Sequence, residues 1–305
     1  MQHTRQLEDL HLGKTWLAIG SFDGVHTGHQ QLIRKLVEGA KRNEAKSVVL
    51  TFHPHPAVVL RGKKEPFYLT SLEEKLDLLE SFGVDYCVAM EFNLTVAFYT
   101  AQYFIQYLYQ HMQIDRIIVG KGFALGRGRT GDINTLTRIG TEMGFSLDVI
   151  DPVENDGIIM SSSHIRKMIS DGAVDKAAKY LARNYSINGI ITHGDGRGRT
   201  IGFPTANIVI SPLRLLPKQG VYVCKTIINN QSYLSVANIG FRPTFKMTDP
   251  NLHLEVHILD FNSDLYGEMV TVEFVKFLRD EIKFNSVENL VDQIKSDIQS
   301  ARENL

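Results

Sequence analysis

Near Asn184 the spacing of apolar residues changes, and one fold cannot satisfy both rhythms. From Thr15 to about Arg183, short apolar runs alternate with stretches of helical period. The runs "TWLAIGSF", "SVVLTF", "DYCVAMEF", "RIIVG" and "SLDVI" read as strands, being short, β-rich and bounded by turn residues. Between them, "HQQLIRKLVEGAKR", "SLEEKLDLLESFG", "VAFYTAQYFIQYLYQH" and "DINTLTRIGTEMG" repeat apolar residues at helical spacing. That βαβα succession predicts an α/β doubly wound parallel sheet with helices on both faces. The aromatic set Phe98, Tyr99, Tyr103, Phe104 and Tyr107 is expected to pack in the core. Two more helices, in "SSSHIRKMISDG" and "VDKAAKYLAR", are expected to close this domain.

From Tyr185 six strand candidates follow closely, separated by Gly, Pro, Asn and Asp turns: "YSINGIITHG", "TANIVI", "GVYVCKTII", "SYLSVANIG", "LHLEVHILDF" and "MVTVEFVKFL". Such a run predicts a small antiparallel β-barrel. The tail reads as one amphipathic terminal helix, with Val287, Leu290, Val291, Ile294 and Ile298 on one face and Ser286 as its N-cap. A chain of 305 residues suits two domains. Their expected extents are 1–184 and 185–305.

The charge balance removes some partners. With 33 Lys and Arg against 34 Asp and Glu the formal net charge is -1, so no global attraction draws the chain to nucleic acid or to a membrane surface. The two cysteines, Cys87 and Cys224, each lie in an apolar stretch and read as buried thiols of a reducing cytosol. The N-terminal "MQHTRQLEDLHLGK" has no apolar h-region, and a cytoplasmic location is expected. Self-association is left open.

The first chemical signal is "AIGSFDGVHTGHQQLI", a Gly-rich turn between the first strand and the first helix. That junction lies at the carboxyl end of the strands, where ligands bind and a helix N-terminus favours phosphate. His26 and His29 stand three apart there with Gly28 between them. Imidazole N–H groups at this place can donate to a phosphate as charge moves onto a leaving pyrophosphate, a donor worth on the order of 10²–10³ in rate. The same histidines have plainer readings as capping residues or metal ligands; zinc is disfavoured, since no third soft ligand sits at a characteristic spacing.

"GSFDGVHTGH" resembles the signature of the HIGH-type nucleotidyltransferases, in the form found in bacterial bifunctional riboflavin kinase/FMN adenylyltransferases. "TFHPHP", "LTSLEEKLDLL" and "SSSHIRKMISDG" are similar to the same module in the same order. The resemblance implies attack of an FMN phosphate on the α-phosphate of ATP, giving FAD and pyrophosphate. His26, His29 and Arg166 would be catalytic, and Gly20, Phe22, Gly24 and Ser162 would bind ATP. Guanidinium suits the role of Arg166, being permanently charged and able to fork onto two oxygens. The family pattern V-G-x-[DN]-F-x-F-G is met here by "VGKGFALGRGRTGD", in which Gly122 and Leu125 depart from it.

The second signal opens the barrel: "ITHGDGRGRTIGFPTANIVI". Its glycines permit tight turns whose amides can cradle a polyphosphate, although the spacing is not that of a P-loop and a strand follows rather than a helix. Thr205 and Asn207 alternate along that strand and so point the same way. A hydroxyl and an amide oxygen are hard ligands that suit Mg²⁺ carrying nucleotide phosphates. "GDGRGRTIGFPTAN" resembles the riboflavin kinase signature, and the likeness continues through "GVYV", "VANIGFRPTF", "LEVHILDF", "LYGE" and "LRDEIKF". It implies that Gly196, Gly198 and Arg199 bind ATP, that Thr205 and Asn207 hold Mg²⁺, and that Glu255 is the base for the flavin 5′-hydroxyl. Asp260, Arg242 and Arg279 are left outside the catalytic set.

The expected substrates are therefore riboflavin, FMN and ATP, and the products FMN and FAD. Two alternatives stay open at this point: a riboflavin kinase whose adenylyltransferase module is weak or inactive, and a flavin- or nucleotide-binding regulator without turnover. "GRGRT" occurs twice, from Gly126 and from Gly196, but the two copies have unrelated flanks and read as separate loops.

Overall fold

Uninterrupted apolar runs become strands covered on both faces, and alternating ones become a barrel. The computed structural model describes residues 1–62, 66–155, 158–194, 197–241 and 252–304, and it divides into two compact units, Met1–Ser162 and Ser163–Leu305.

The first unit runs β1 (Gln2–Thr4), β2 (Leu12–Ile19), α1 (Thr27–Arg42), β3 (Lys46–Phe52), α2 (Pro56–Arg61), α3 (Leu72–Ser81), β4 (Tyr86–Met90), α4 (Leu94–Ala97), α5 (Ala101–Tyr109), β5 (Met112–Gly120), α6 (Ile133–Met143), β6 (Ser146–Ile150) and the short strands β7 (Glu154–Asn155) and β8 (Ile158–Ile159). Six strands form a parallel sheet in the order β1-β4-β3-β2-β5-β6. Successive residues of one strand enter different cores. Leu17, Ile19, Leu50 and Val119 pack with Phe104, Leu108 and Leu136 of α5 and α6, whereas Ala18, Val49 and Ile118 pack with Ile33 and Leu36 of α1 and Leu79 of α3. The doubly wound sheet is thus present with helices on both faces.

Two local features differ from the sequence reading. The aromatic helix is broken after α4, because Thr100 caps a new helix by accepting from Tyr103 N at 3.1 Å. The break leaves Phe98 and Tyr103 62% and 50% exposed, so the core expectation holds fully for Phe104 and partly for Tyr99 and Tyr107. Strand β1 had no apolar signal; it adds to the sheet edge by backbone pairing with β4.

The second unit holds α7 (Ser162–Ser170, beginning at the last residue of the first unit), α8 (Val174–Leu181), β9 (Tyr185–Thr192), α9 (Arg197–Thr200), β10 (Ala206–Val209), β11 (Gly220–Ile228), β12 (Gln231–Phe241), β13 (Leu252–Ile258), β14 (Met269–Arg279) and α10 (Val287–Glu303). Six strands close an antiparallel barrel in the order β10-β13-β12-β11-β14-β9. Ile187, Tyr222, Cys224, Ala237, Val256 and Phe274 are buried in it. Helix α8, expected to close the first domain, packs instead on the barrel strands β14 and β9 within the second unit, and α10 packs on β12.

Ser286 caps α10 by accepting from Asn289 N. Its apolar stripe is only half-covered, with Val287 exposed, and the buried residues of α10 are Asp297 and Ala301. Arg279 accounts for Asp297: its guanidinium donates to both carboxylate oxygens, with Nη2 to Oδ2 at 2.6 Å. Arg279 therefore has a structural partner. Asp260 pairs with Arg302 at 2.8 Å, and Arg242 lies outside the described residues.

Candidate active sites

Strand β2 has β3 on one side and β5 on the other, so the strand order reverses at β2. A crevice opens at such a reversal, and the turn from Gly20 to His26 lies at its carboxyl end. His26 is the N-cap of α1, and its Nδ1 accepts from His29 N at 3.4 Å. An accepting Nδ1 leaves the proton of the neutral ring on Nε2. The rings of His26 and His29 stack with centroids 3.7 Å apart, and Phe22 meets His29 edge-on. A Cβ at Gly28 would come within 3.2 Å of the His26 ring, so the ring would have to give by a few tenths of an ångström.

The turn is strained. Phe22 and Val25 hold φ of +46° and +38°. A non-glycine residue in that region costs about 1–3 kcal/mol and persists only where its surroundings over-determine it. Asp23, 1% exposed, supplies part of that frame: its carboxylate accepts from Leu69 N, Thr70 N and the Thr70 hydroxyl at 3.1 to 3.3 Å. Lys75, 3% exposed, supplies another part by donating to Ser21 O at 2.8 Å and to Thr51 Oγ1 at 3.3 Å. Thr51 Oγ1 itself donates to Ser21 O.

Burial, then the charges of His26 and Lys75, push the His29 imidazole well below its ordinary pKa. It is neutral at pH 7 and suited to donate a hydrogen bond rather than carry charge. Its Nδ1 is buried with no partner among the described residues. Burial likewise lowers the Lys75 ammonium, and the Asp23 carboxylate opposes that shift.

Of the expected ATP-binding residues, Gly20 donates its N–H to Leu50 O, and Gly24 donates its own to Thr70 Oγ1. Phe22 is buried, so its side chain faces the protein. Ser162, the last residue of the first unit, donates its hydroxyl to Asp23 O at 2.9 Å. Arg166 lies one helical turn farther along α7. In the loop after β5, the Gly122 carbonyl accepts from Arg129, and a Cβ at Gly122 would meet nothing within 4 Å. Leu125 is a core residue, tied to Gly131 by two backbone hydrogen bonds. The two departures therefore leave the loop internally bonded.

In the barrel, Asn207 of β10 stands opposite Glu255 of β13, and Glu255 stands opposite Asn238 of β12. Leu254, Val256 and Ile258 are buried inside, so Glu255 and its cross-strand partners share the outer face. The Asn207 amide lies so close over Gly194 that a Cβ there would sit 2.0 Å from Nδ2. Thr205 and Arg199 line a cleft of about 410 Å³ together with Val256, Asp264 and Tyr266, and the Tyr266 ring stacks on His193 at 3.6 Å. Gly198 is held near Thr205 by the turn that follows it, with Phe203 N donating to Gly198 O. Gly196 lies outside the described residues. Thr205, Asn207 and Glu255 are thus gathered from β13 and the segment entering β10, whereas the cleft itself reaches only Thr205 of the three.

Sequence reasoning passed over Asp23, Lys75, Thr51 and Thr70, which brace the first turn. A lysine in the buried stripe Leu72, Lys75, Leu79 of α3 was the available signal. It also passed over Asn238 and Glu281, joined by an Asn238 Nδ2 to Glu281 Oε1 hydrogen bond of 2.9 Å. No spacing rule predicts that pair, because it depends on strand register.

Comparison with known proteins covers both units. The family model described as FAD synthetase matches residues 9–164, and the one described as riboflavin kinase matches residues 181–305. A curated protein of Listeria monocytogenes, a bifunctional riboflavin kinase/FMN adenylyltransferase, is 37% identical over 94% of this chain and 91% of its own length. The proteins of that name from Bacillus subtilis and Escherichia coli K12 are 35% and 38% identical over 98% and 94% of this chain and 95% and 91% of their own. A solved chain from Streptococcus pneumoniae, described as a macrolide-efflux protein, superposes with a TM-score of 0.89 at 32% identity, covering 98% of each chain. No helix among the described residues of this chain is long and apolar enough to cross a membrane.

Proposed function

The chain belongs to the family of bifunctional riboflavin kinase/FMN adenylyltransferases, and from that premise we propose how its two sites divide the work. It phosphorylates riboflavin to FMN and joins FMN to the adenylyl group of ATP, giving FAD. Relatives with both activities match along almost the whole chain, which disfavours an inactive module or a regulator without turnover.

The barrel carries the kinase step. Glu255 takes the proton of the ribityl 5′-hydroxyl as that oxygen attacks the γ-phosphorus of ATP, and ADP leaves. Arg199 and the glycine loop hold the nucleotide phosphates. The residues that would hold Mg²⁺ are Thr205 and Asn207; both offer hard oxygen donors, one on the cleft and one opposite Glu255. Bound there, Mg²⁺ would neutralise charge on the nucleotide phosphates.

The parallel sheet carries adenylyl transfer. A phosphate oxygen of FMN attacks the α-phosphorus of ATP, and pyrophosphate leaves. His26 and His29 donate to the oxygens on which charge develops, at the positive end of α1. Ser162 and Arg166 hold the ATP phosphates. The functional domains are 1–184 and 185–305, which keeps α7 and its Arg166 with the first activity. The buried free thiols of Cys87 and Cys224 suit the cytoplasm.

The observation that carries this division is the stacked, helix-capping pair His26–His29 at the point where the strand order reverses. Two variants test it in the full chain with ATP and Mg²⁺. His29→Ala abolishes FAD formation from supplied FMN while riboflavin phosphorylation continues; Glu255→Gln does the reverse. Equal loss of both activities in either variant refutes separate sites.

A further inference from the structure

Lys75 is the one buried ammonium among the described residues, and the mechanism above gives it no task. It occupies a core-facing position of α3, between Leu72 and Leu79, where an apolar side chain would satisfy packing without desolvating a charge. Its ammonium reaches the turn from below, donating to Ser21 O at 2.8 Å and to Thr51 Oγ1 at the end of β3. The Thr51 hydroxyl donates to the same Ser21 carbonyl. Ser21 immediately precedes Phe22, the first residue of the turn in the left-handed region, so these two donors fix the carbonyl at which the chain leaves its extended path. Asp23 clamps the far side of the same turn through Leu69 and Thr70, just before Ser71 opens α3 with a capping box. The turn is thereby tied to α3 at two points.

We infer that Lys75 is a positioning residue for adenylyl transfer: its buried ammonium holds the Ser21 carbonyl and Thr51, and so places the turn and the His26–His29 pair for reaction. This rests on the assignment of that pair to the chemistry. The ammonium also sets the electrostatic background of the site. The titratable groups that feel its charge are Asp23 from the turn, Cys87 from β4, and His29 and His53; those acting on His29 are His26 and Lys75. Its charge adds to burial in keeping His29 neutral. A side chain that merely filled space would leave that titration unchanged.

The test uses Lys75→Met, which keeps an unbranched stem and removes charge and donors. FAD formation from FMN and ATP is expected to fall about 100-fold, the usual cost of misplacing reacting groups by about 1 Å. The His29 imidazole, followed by NMR, is expected to titrate at higher pH than in the wild type, and the acid limb of the FAD-forming rate to move with it. Riboflavin phosphorylation in the same preparation shows that the chain is intact. Should Lys75→Met fail to fold, Thr51→Val removes one acceptor of the ammonium at nearly constant shape, and a roughly tenfold loss of FAD formation is expected. FAD formation within threefold of wild type, or a loss with no movement of the His29 titration, overturns the inference. His29→Ala separates the premises: if it still makes FAD, the histidine assignment fails; if it does not while Lys75→Met does, only the role of Lys75 fails.

Discussion

Replacing Gly194 by alanine tests the kinase site with one added carbon. The added Cβ would lie 2.0 Å from Asn207 Nδ2, 2.7 Å from Cγ and 3.0 Å from Oδ1. Ordinary contact begins near 3.4 Å, so the amide must retreat by about 1.4 Å. Gly194 does not use the left-handed region, so its backbone accepts alanine, and a lower unfolded-state entropy offsets the repacking by about 0.4–1 kcal/mol. The variant should therefore fold and fail locally. A displacement of that size at the group proposed to hold Mg²⁺ is expected to lower riboflavin phosphorylation about 100-fold. Release of ADP from riboflavin, ATP and varied Mg²⁺ measures it, with FAD formation from supplied FMN as the internal control. Kinase turnover within threefold of wild type, with an unchanged Mg²⁺ requirement, would refute the contact and the role given to Asn207.

Gly28→Ala places a Cβ 3.2 Å from the His26 ring, which must give by a few tenths of an ångström; FAD formation should fall by about threefold to tenfold, with kinase turnover as the control. Asp297→Ala leaves the Arg279 guanidinium, 19% exposed, without its carboxylate, and equilibrium denaturation should show a loss of about 3 kcal/mol in the barrel unit. The pH dependence follows from His29, whose folded pKa is lowered. The unfolded ring takes a proton below its ordinary value of 6.5 and the folded ring does not, so stability should fall as pH drops below 6.5 and show no contribution from this group above it. Thermal melts of wild type and His29→Ala between pH 5 and 8, about the range in which histidine titrates, measure the difference.

Much of both sites was legible because short-range chemistry writes them. A glycine turn between a β-run and an amphipathic helix puts His26 at an N-cap whatever the rest of the chain does, and the cap is present. Period-two spacing put Thr205 and Asn207 on one side of a strand, but β10 begins between them at Ala206, and the cleft reaches Thr205 and not Asn207. Reading failed where local pattern is silent. Strand β1 is polar and earns its place by edge pairing, and the aromatic run after Asn93 broke at a Thr100 cap that its apolar period concealed. In α10 an expected apolar stripe is half-exposed, while Asp297, which buries with Ala301, is charged and follows its partner Arg279.

The order of chain segments was enough for the fold class: β-runs separated by helices require parallel crossovers, and β-runs separated by tight turns require antiparallel pairs. The residue types supplied the candidates, since imidazoles at a helix N-terminus and a carboxylate near hard oxygen donors can both serve phosphate transfer. Register and burial were not contained in either. That Glu255 stands opposite both Asn207 and Asn238 depends on how three strands slide past one another, and a slip of one residue would turn each side chain to the other face. That Lys75 reaches Ser21, 54 positions earlier in the chain, depends on α3 packing beneath the turn. Contacts between distant segments are selected by the free energy of the whole packed unit, which no window of sequence carries.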